Sequence, residues 1–437
     1  MSSMTRDEVL RLDRAHVWHP YTPMGAYRTS DPLVIERASG VFLHDKDGRR
    51  YFDANSSWWV AALGHSHPRL VRALTEQAQT LAHCALAGIA HEPASKLAAE
   101  LCRLTEGAHS HVFFTDNGST ALEAAMKMAV QYWAQSGAPA KTRFVALNGA
   151  FHGDTIGVAA LGGVEVFRRP FAGILLDCFH APTPEESSYA QTFEAIAHEL
   201  KHHGSSIAAV VVEPVVQGAN GMWMYPPALL SALRAVCDRY DVLLVIDEVF
   251  AGYGRTGQMW ASEHAGIWGD LMCIGKTLGS MLPLGAVLAS PRVERAFLGD
   301  ASRAFYYGHT FCGHPLATSV ALEVLSVFRD EALVQRAQQM EAAMRPRFAS
   351  LAELRDVERV RVLGAIAALD LRDDASGYLA KGGWRVYEEA RKRGAYLRPL
   401  GNTVYVCPPL VSTDDELAAM LDIVEESVRA SIAPAKR

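Results

Sequence analysis

The chain has 437 residues, of which 49% are hydrophobic and 21% are charged, as in an ordinary soluble globular protein with two domains, or one large domain with a satellite. Its formal net charge of -6 provides no basic surface of the kind that binds nucleic acid. Seven scattered cysteines without a CxxC pair favour a reducing compartment and argue against a disulfide framework or a zinc site.

The N-terminal residues 1–14 are charged and polar, unlike a secretory signal, and no apolar run approaches the roughly 20 residues that span a bilayer. We therefore expect a cytoplasmic protein without a membrane or nucleic-acid partner. The aromatic, proline-containing stretch 16–22 has neither a helical nor a strand period. Residues Val41–Asp53 then predict a hairpin with Asp47-Gly48 as its turn.

Two adjacent tryptophans, Trp58 and Trp59, follow small polar residues in the stretch Asn55–Trp59. We interpret this stretch as extended, where neighbouring side chains point to opposite sides. One tryptophan can then lie in the core while the other lines a pocket. For Trp58 by itself the core position is the favoured interpretation, because tryptophan is on average highly buried.

Alternating helices and strands predict a large α/β domain over residues 60–330. Its sequence patterns indicate, in chain order, helices Pro68–His83 and Pro93–Leu104, strand Val112–Phe114, helix Ala121–Gln135, strand Arg143–Leu147, an exposed helix within 181–206, strands Ile207–Val212, Val242–Ile246, Leu271–Gly275 and Leu284–Ser290, and a helix from near Pro315.

The two chain ends, residues 1–59 and 331–437, predict a small α+β domain that the N-terminal segment helps to complete. The C-terminal patterns indicate a charged helix to Leu351, a strand Val360–Leu371, a helix Trp384–Arg393, a hairpin Tyr396–Pro408 around Gly401-Asn402, and a last helix that a capping box opens at Thr413.

Glycine and hydroxyl residues follow the strand Val112–Phe114 and open the next helix at Gly118 and Ser119. Free backbone N–H groups and the helix dipole make such a helix start an anion site, although an ordinary capped turn has the same composition. Phe151, at a strand-to-loop junction, could stack on a flat ring. The histidines have no further ligand at metal-binding spacing, so we expect no metal site.

The most specific chemistry lies in the stretch 242–276. Asp247 follows a buried strand at its carboxyl end, where open α/β sheets bind their ligands, and Lys276 follows the next strand. Pyridoxal phosphate requires a lysine for its Schiff base and an acidic partner for its pyridinium nitrogen. By itself the pair is also compatible with an ordinary aspartate and lysine at strand ends. The other motifs of the chain must therefore decide between the two interpretations.

The order of these motifs resembles the class III, fold type I aminotransferases that depend on pyridoxal phosphate, along essentially the whole chain. Within this class, three stretches are similar to the 7,8-diaminopelargonic acid synthases of biotin biosynthesis: HVWHPYT (16–22), SSWW (56–59) and LRPLGNTVYVCPPL (397–410). The first two are fairly specific to those synthases. The resemblance implies the fold type I architecture, with a large domain built on a mainly parallel sheet and a small α+β domain.

For the cofactor, the resemblance implies that Lys276 forms the Schiff base and shuttles the proton, and that Asp247 pairs with the pyridinium nitrogen. Phe151 would stack on the cofactor ring. Gly118 and Ser119 would bind the phosphate. Two further cofactor-site residues follow from it, His309 and Thr310, of which Thr310 would reach the phosphate of the neighbouring subunit, so a homodimer with shared sites is implied.

For the substrates, the resemblance implies a pocket lined by Tyr21, Trp58, Phe151, Gly308 and Arg398. A planar guanidinium binds a carboxylate through two parallel hydrogen bonds, which independently suits Arg398 to an acceptor with a terminal carboxylate. A structural carboxylate as the partner of Arg398 is the alternative. Two further positions, Glu213 and Arg255, match class-wide positions near the pocket without an assigned role.

These expectations lead to an aminotransferase that converts 8-amino-7-oxononanoate to 7,8-diaminononanoate. S-adenosylmethionine is the usual donor of such synthases and lysine serves some of them. Phe151 stands where they usually carry tyrosine, and 283–286 and 308–311 follow the general class pattern, which leaves the donor open. The alternatives are an ω-amino acid or amine:pyruvate aminotransferase, an aminomutase or racemase with the same cofactor, and a binding scaffold, against which Lys276 argues.

Overall fold

The structure is a computed structural model that describes residues 4–185, 188–373 and 377–432. The strands are β1 Ile35–Ser39, β2 Phe42–Asp45, β3 Arg50–Asp53, β4 His111–Thr115, β5 Arg143–Leu147, β6 Cys178–Ala181, β7 Ile207–Val212, β8 Val216–Gln217, β9 Trp223–Met224, β10 Leu243–Asp247, β11 Leu271–Ile274, β12 Gly285–Ala289, β13 Val357–Leu363, β14 Ile366–Leu371, β15 Ala395–Tyr396 and β16 Thr403–Val406.

The helices are α1 Arg6–His16, α2 Met24–Tyr27, α3 Ser56–Trp59, α4 Pro68–Thr80, α5 Glu92–Arg103, α6 Gly118–Gln135, α7 Ile156–Leu161, α8 Glu165–Arg168, α9 Ala190–His203, α10 Ala228–Arg239, α11 Pro291–Ala296, α12 Pro315–Asp330, α13 Leu333–Leu351, α14 Gly382–Arg393 and α15 Asp414–Ile432. Short 3-10 turns lie at Arg169–Ile174, Ala261–Ala265, Lys276–Leu278 and Ala301–Arg303. Within the described ranges no helix is long and apolar enough to cross a membrane.

A seven-stranded sheet forms the centre of the fold, in the order β4-β12-β11-β10-β7-β5-β6. Strands β11, β10, β7, β5 and β6 pair in parallel, and β12 runs antiparallel to both of its neighbours. The predicted mainly parallel sheet is confirmed. Every residue of β7, β10 and β11 is buried, because helices cover both faces of a parallel sheet.

The carboxyl edge of this sheet collects the loops that follow five strands. Strands β5, β7, β10 and β11 point the same way, and β4 joins them because β12 is antiparallel to both β4 and β11. The segments that begin after Thr115, Leu147, Val212, Asp247 and Ile274 therefore leave the sheet on one side. This is where a doubly wound sheet binds its ligand.

Two smaller sheets contain the strands near the chain ends. Strands β1, β2, β3 and β15 form one sheet, in which C-terminal β15 pairs in parallel with β3, and β13, β14 and β16 form another. The predicted hairpin Val41–Asp53 is confirmed as β2 and β3, with Gly48 at φ +81° in its turn. The domain boundaries at 59/60 and 330/331 remain a prediction.

Two C-terminal predictions were wrong. The stretch Val360–Leu371 is part of an antiparallel pair, β13 and β14, because Gly364 turns the chain at φ +55°. The stretch Tyr396–Pro408 is not a hairpin, because β15 pairs with β3 and β16 pairs with β14. In the first case a local antiparallel pair replaced a single predicted strand, and in the second case hydrogen bonding to distant strands replaced the predicted local pairing.

The tryptophan pair also differs from the prediction. Residues Ser56–Trp59 form a tight left-handed turn rather than an extended segment, with φ of 47°, 45°, 64° and 77°. The core position favoured for Trp58 was wrong, since its side chain is 39% exposed, whereas Trp59 is 4% exposed. The two indoles still have different surroundings, but a turn rather than strand alternation separates them.

Candidate active site

A cavity of about 790 Å³ opens at the carboxyl edge of the central sheet. Seven residues predicted for the cofactor or substrate line it: Tyr21, Trp58, Gly118, Ser119, Phe151, Asp247 and Lys276. The remaining walls include Trp59, His152, Glu213 and Phe250. Strand ends that are far apart in sequence thus bring an amine, two carboxylates and a helix N-terminus into one space.

Lys276 follows β11 after one residue, Gly275, and begins a short 3-10 turn with φ +44°. Its side-chain nitrogen, Nζ, lies 5.0 Å from the centre of the Trp59 ring. Burial lowers the pKa of the lysine amine, while the charges of Asp247 and Glu213 act in the opposite direction. A lysine whose neutral form is favoured in this way can act as a nucleophile and a base.

Asp247 closes β10 and is held in one orientation by two donors. Its Oδ1 accepts the backbone N–H of Val249 at 3.0 Å, and its Oδ2 lies 2.7 Å from Nδ1 of His152. Burial opposes a charged imidazole, but the hydrogen bond and the charge of Asp247 raise the pKa of His152. Nε2 of His152 is buried and has no hydrogen-bond partner within the described residues.

Glu213 follows β7 and contributes a second buried carboxylate. Its oxygens accept the N–H groups of Phe151 and Gly218, each at 3.0 Å, which fixes the backbone beside the Phe151 ring. Burial raises the pKa of Glu213 to about 7; His152 opposes this rise and Asp247 adds to it. The carboxyl group therefore titrates near neutral pH.

The start of α6 supplies an anion site. Asn117 caps the helix and accepts the N–H of Thr120 at 3.0 Å, and Gly118 and Ser119 are the first helical residues, whose N–H groups have no acceptor within the helix. A Cβ atom on Gly118 would lie 2.6 Å from Cγ1 of Val249. Only glycine lets the backbone lie this close to the loop that follows Asp247.

An amine, a carboxylate with a histidine behind it, an aromatic ring and an anion cradle in one cavity fit pyridoxal phosphate. The donor set matches the aldehyde, the ring nitrogen and the phosphate of that cofactor.

A second chamber of about 610 Å³ adjoins the first and shares Tyr21 and Tyr378 with it. Arg398 lines this chamber rather than the Lys276 cavity. Its guanidinium carbon lies 5.3 Å from the ring centre of Trp58 and 5.6 Å from that of Trp384. Within the described residues Arg398 forms no salt bridge. The alternative, in which a structural carboxylate pairs with Arg398, therefore has no support among these residues.

Several lining residues were missed by the sequence analysis. Asp154 accepts a hydrogen bond from the Tyr21 hydroxyl at 2.6 Å, and the ring of Phe167 lies 5.3 Å from Tyr21 and 4.8 Å from Tyr378. Asp154 could have been predicted, because it lies in the same loop after β5 as Phe151. Phe167 and Tyr378 carry no local signal, because only the fold brings them to Tyr21.

The remaining predicted residues lie outside the cavity. Gly308, His309 and Thr310 belong to a surface loop, where Gly308 and Thr310 are exposed and Nε2 of His309 lies 3.6 Å from Oδ1 of Asp116, which does line the cavity. Their roles toward the cofactor and the substrate remain predictions. Arg255 is fully buried, donates to the carbonyl of Pro408 at 2.5 Å and does not line the cavity.

Comparison with known proteins identifies the family. The profile of the family described as Aminotransferase class-III matches residues 25–428. This chain is a class III aminotransferase. It is therefore a pyridoxal-phosphate-dependent transaminase, as the resemblance implied.

Named relatives of this class III aminotransferase cover nearly its whole length. An adenosylmethionine-8-amino-7-oxononanoate aminotransferase of Synechococcus elongatus is 41% identical, over 94% of this chain and 99% of its own. Its counterpart of Geobacter sulfurreducens is 37% identical, over 95% and 96%.

Solved structures agree with the sequence relatives. The adenosylmethionine-8-amino-7-oxononanoate aminotransferase of Methanocaldococcus jannaschii superposes with a TM-score of 0.92 at 32% identity, over 97% of this chain and 99% of that one. An omega transaminase of Pseudomonas jessenii in complex with PMP reaches 0.91 at 31% identity, over 97% and 98%. The fold thus does not separate these two activities, and the substrate must be argued from the site.

Proposed function

We propose that this aminotransferase transfers an amino group to 8-amino-7-oxononanoate and forms 7,8-diaminononanoate in biotin biosynthesis. The observation that carries the proposal is Arg398, which has no carboxylate partner among the described residues and lies in a chamber joined to the Lys276 cavity by Tyr21 and Tyr378. An acceptor with its reactive carbonyl at one end and a carboxylate at the other suits two chambers arranged in this way. The names of the relatives support the same acceptor.

Bound pyridoxal phosphate supplies an electron sink for the carbon from which a proton is removed. Lys276 provides the neutral amine that attaches the cofactor and then holds and returns the proton at Nζ. Asp247, fixed by Val249 and His152, would hold the ring nitrogen of the cofactor. Gly118 and Ser119 bind the phosphate at the start of α6. The buried indole of Trp59 excludes water beside Lys276.

We propose S-adenosylmethionine as the amino donor, with lysine as the first alternative and other donors open. Phe151 lines the cavity without a hydroxyl group, so it cannot select a polar donor through a hydrogen bond. Hydrophobic pockets discriminate between similar substrates only by roughly 10- to 200-fold per methylene. We therefore expect a donor range broader than S-adenosylmethionine, with lysine the first to be tested.

Amine:pyruvate transamination is the second candidate, because the stretches 283–286 and 308–311 follow the general class pattern and the fold is compatible with either activity. The two candidates are separated by incubating the holoenzyme with each donor and either 8-amino-7-oxononanoate or pyruvate, followed by mass spectrometry of the product. The proposal expects diamine formation with the first acceptor and restored growth of a biotin auxotroph that lacks this step. Rapid alanine formation from pyruvate, with no diamine from either donor, would contradict it. Lys276→Ala is the inactive control.

We also propose that the active unit is a homodimer in which Thr310 completes the cofactor site of the partner subunit. The loop that carries Thr310 lies outside the cavity of its own chain and is bordered by exposed aromatic side chains, Tyr306 at 81% and Phe311 at 54%. These exposed aromatic side chains provide apolar area that a partner subunit can cover. The seven cysteines, all of them free, support a reducing compartment, and we propose the cytoplasm.

The dimer is tested by mixing two inactive variants, Lys276→Ala and Thr310→Ala. If sites are shared, each mixed dimer contains one site with both Lys276 and Thr310 intact, so activity returns after subunit exchange. A control mixture of Lys276→Ala with a Lys276→Ala, Thr310→Ala double variant stays inactive. A monomer that is fully active in sedimentation experiments at assay concentration contradicts the proposal.

A further inference from the structure

The left-handed turn Ser56–Trp59 has an unusual backbone. Its four residues all have positive φ and none of them is glycine. Residues with a side chain adopt this region rarely and then singly, because Cβ lies too close to the following carbonyl oxygen. A run of four such residues needs support from outside the turn.

One part of that support comes from the C-terminal strand β16 and the residues after it. The Ser56 hydroxyl donates to the carbonyl of Cys407 at 2.7 Å. The side-chain amide of Asn55 donates to the carbonyl of Tyr405 at 3.0 Å, and the Trp59 indole N–H donates to the Tyr405 hydroxyl at 3.0 Å. These bonds hold both ends of the turn but leave its middle residue, Ser57, without an anchor on this side.

The anchor of Ser57 is Asp53, the last residue of β3. Its side chain is fully buried, and Oδ2 accepts the Ser57 hydroxyl at 2.7 Å and lies 2.8 Å from Nε2 of His65. His65 is itself fixed, since its backbone pairs with Gly40 through bonds of 3.0 and 2.7 Å. A buried carboxylate is costly unless it is paired. Here Oδ2 links the turn to His65, while Oδ1 is buried and has no hydrogen-bond partner among the described residues.

The turn directs its two indoles to different parts of the site. Trp58 lines the cavity and is 39% exposed, and its ring lies 5.4 Å from that of Tyr21 and 5.3 Å from the Arg398 guanidinium carbon. Trp59 is buried, 5.0 Å from Nζ of Lys276. A right-handed or extended Ser56–Trp59 would send these side chains in other directions.

We propose that Asp53 is a positioning residue of the active site, which acts through Ser57 and His65 to hold the left-handed turn that places Trp58 beside the substrate. Asp53 touches no reacting atom in this arrangement. Its effect is on substrate binding, and it applies to any acceptor that passes Trp58.

The test compares Ser57→Ala with Ser57→Gly in the holoenzyme. Both variants lose the bond to Asp53, but only glycine accepts a positive φ without strain. We expect the KM for the acceptor to rise more in Ser57→Ala than in Ser57→Gly, by up to roughly 5- to 30-fold if the strain is fully expressed. The maximal rate changes less than KM in both variants.

A spectral measurement makes the test independent of turnover. The protein has eight tryptophans, so 5-fluorotryptophan labelling gives a countable set of 19F resonances, and Trp58→Phe assigns the one from Trp58. We expect this resonance to shift or broaden in Ser57→Ala and in Asp53→Asn, and to change less in Ser57→Gly. This readout does not depend on which acceptor is natural, so a failure of the proposed substrate would leave it intact.

A matched control lies in a right-handed helix. Ser95, in α5, also bonds through its hydroxyl, to the carbonyl of His91 at 3.1 Å, and glycine destabilises such a helix relative to alanine. In thermal unfolding, Ser95→Gly is expected to be less stable than Ser95→Ala. At Ser57 we expect the reverse, with the glycine variant more stable than the alanine variant. The proposal is overturned if Ser57→Gly is no more stable than Ser57→Ala. It is also overturned if the Trp58 resonance is unchanged in both Ser57→Ala and Asp53→Asn. If Asp53→Asn does not fold, the comparison of Ser57→Ala with the native enzyme decides, because that variant lacks the bond to Asp53, and an unchanged KM and Trp58 resonance would overturn the proposal.

Discussion

Replacing Arg398 with alanine removes the cation that we assign to the terminal carboxylate of the acceptor. Truncating one partner of a buried charge pair costs about 2–5 kcal/mol. Arg398 is half-buried and lines an open chamber, so solvent screening places the loss near the lower end. About 2 kcal/mol corresponds to roughly a 30-fold loss of acceptor affinity.

Stopped-flow absorbance of the bound cofactor measures the donor and acceptor half-reactions separately. The methyl ester of the acceptor lacks the charge and should react equally with the native enzyme and with Arg398→Ala, which closes a double-mutant cycle on the pair. Arg398→Lys keeps the charge but loses the two parallel bonds, so we expect an intermediate loss.

Arg385→Ala is the matched control, because Arg385 lines the same chamber but its side chain is 54% exposed and lies 3.9 Å from Asp373. We expect it to change the acceptor half-reaction only slightly. Equal losses for the acid and its ester, or equal losses in Arg398→Ala and Arg385→Ala, would refute a specific carboxylate contact at Arg398.

Three further predictions concern the Lys276 cavity. Lys276→Ala should abolish turnover while equilibrium dialysis still detects cofactor binding, because the anion cradle at the start of α6 is intact; near-normal turnover would show that the lysine is misassigned. Asp247→Asn should slow proton abstraction strongly in single-turnover experiments and weaken cofactor binding less, since the charge is lost but a hydrogen bond remains. Glu213 has a raised pKa of about 7, so its protonated form is favoured in the folded state and stability should fall between about pH 4.5 and 7 as the pH rises. Glu213→Gln should flatten this part of the melting-temperature profile of the apoenzyme, and an unchanged profile would argue against the raised pKa.

The sequence by itself determined the central sheet and the two residues at its edge. Apolar runs such as Ile207–Val212 and Leu243–Asp247 have one stable place in an α/β protein, a strand covered on both faces. Parallel strands end on one side, so Asp247 and Lys276 had to come close. This part could be predicted because it depends on local composition and on one rule of sheet topology.

Tertiary structure decided what local composition could not. Strand β15 left its predicted hairpin because β3, more than 300 positions away, offered a partner. The turn at Trp58 is left-handed against the local steric preference, since the carbonyls of Tyr405 and Cys407 accept hydrogen bonds from Asn55 and Ser56 across more than 300 positions. Phe167 and Tyr378 reach Tyr21 only through the folded chain. In each case a contact between segments remote in sequence supplied the free energy that outweighed the local preference, and such contacts leave no signal in the sequence around either partner.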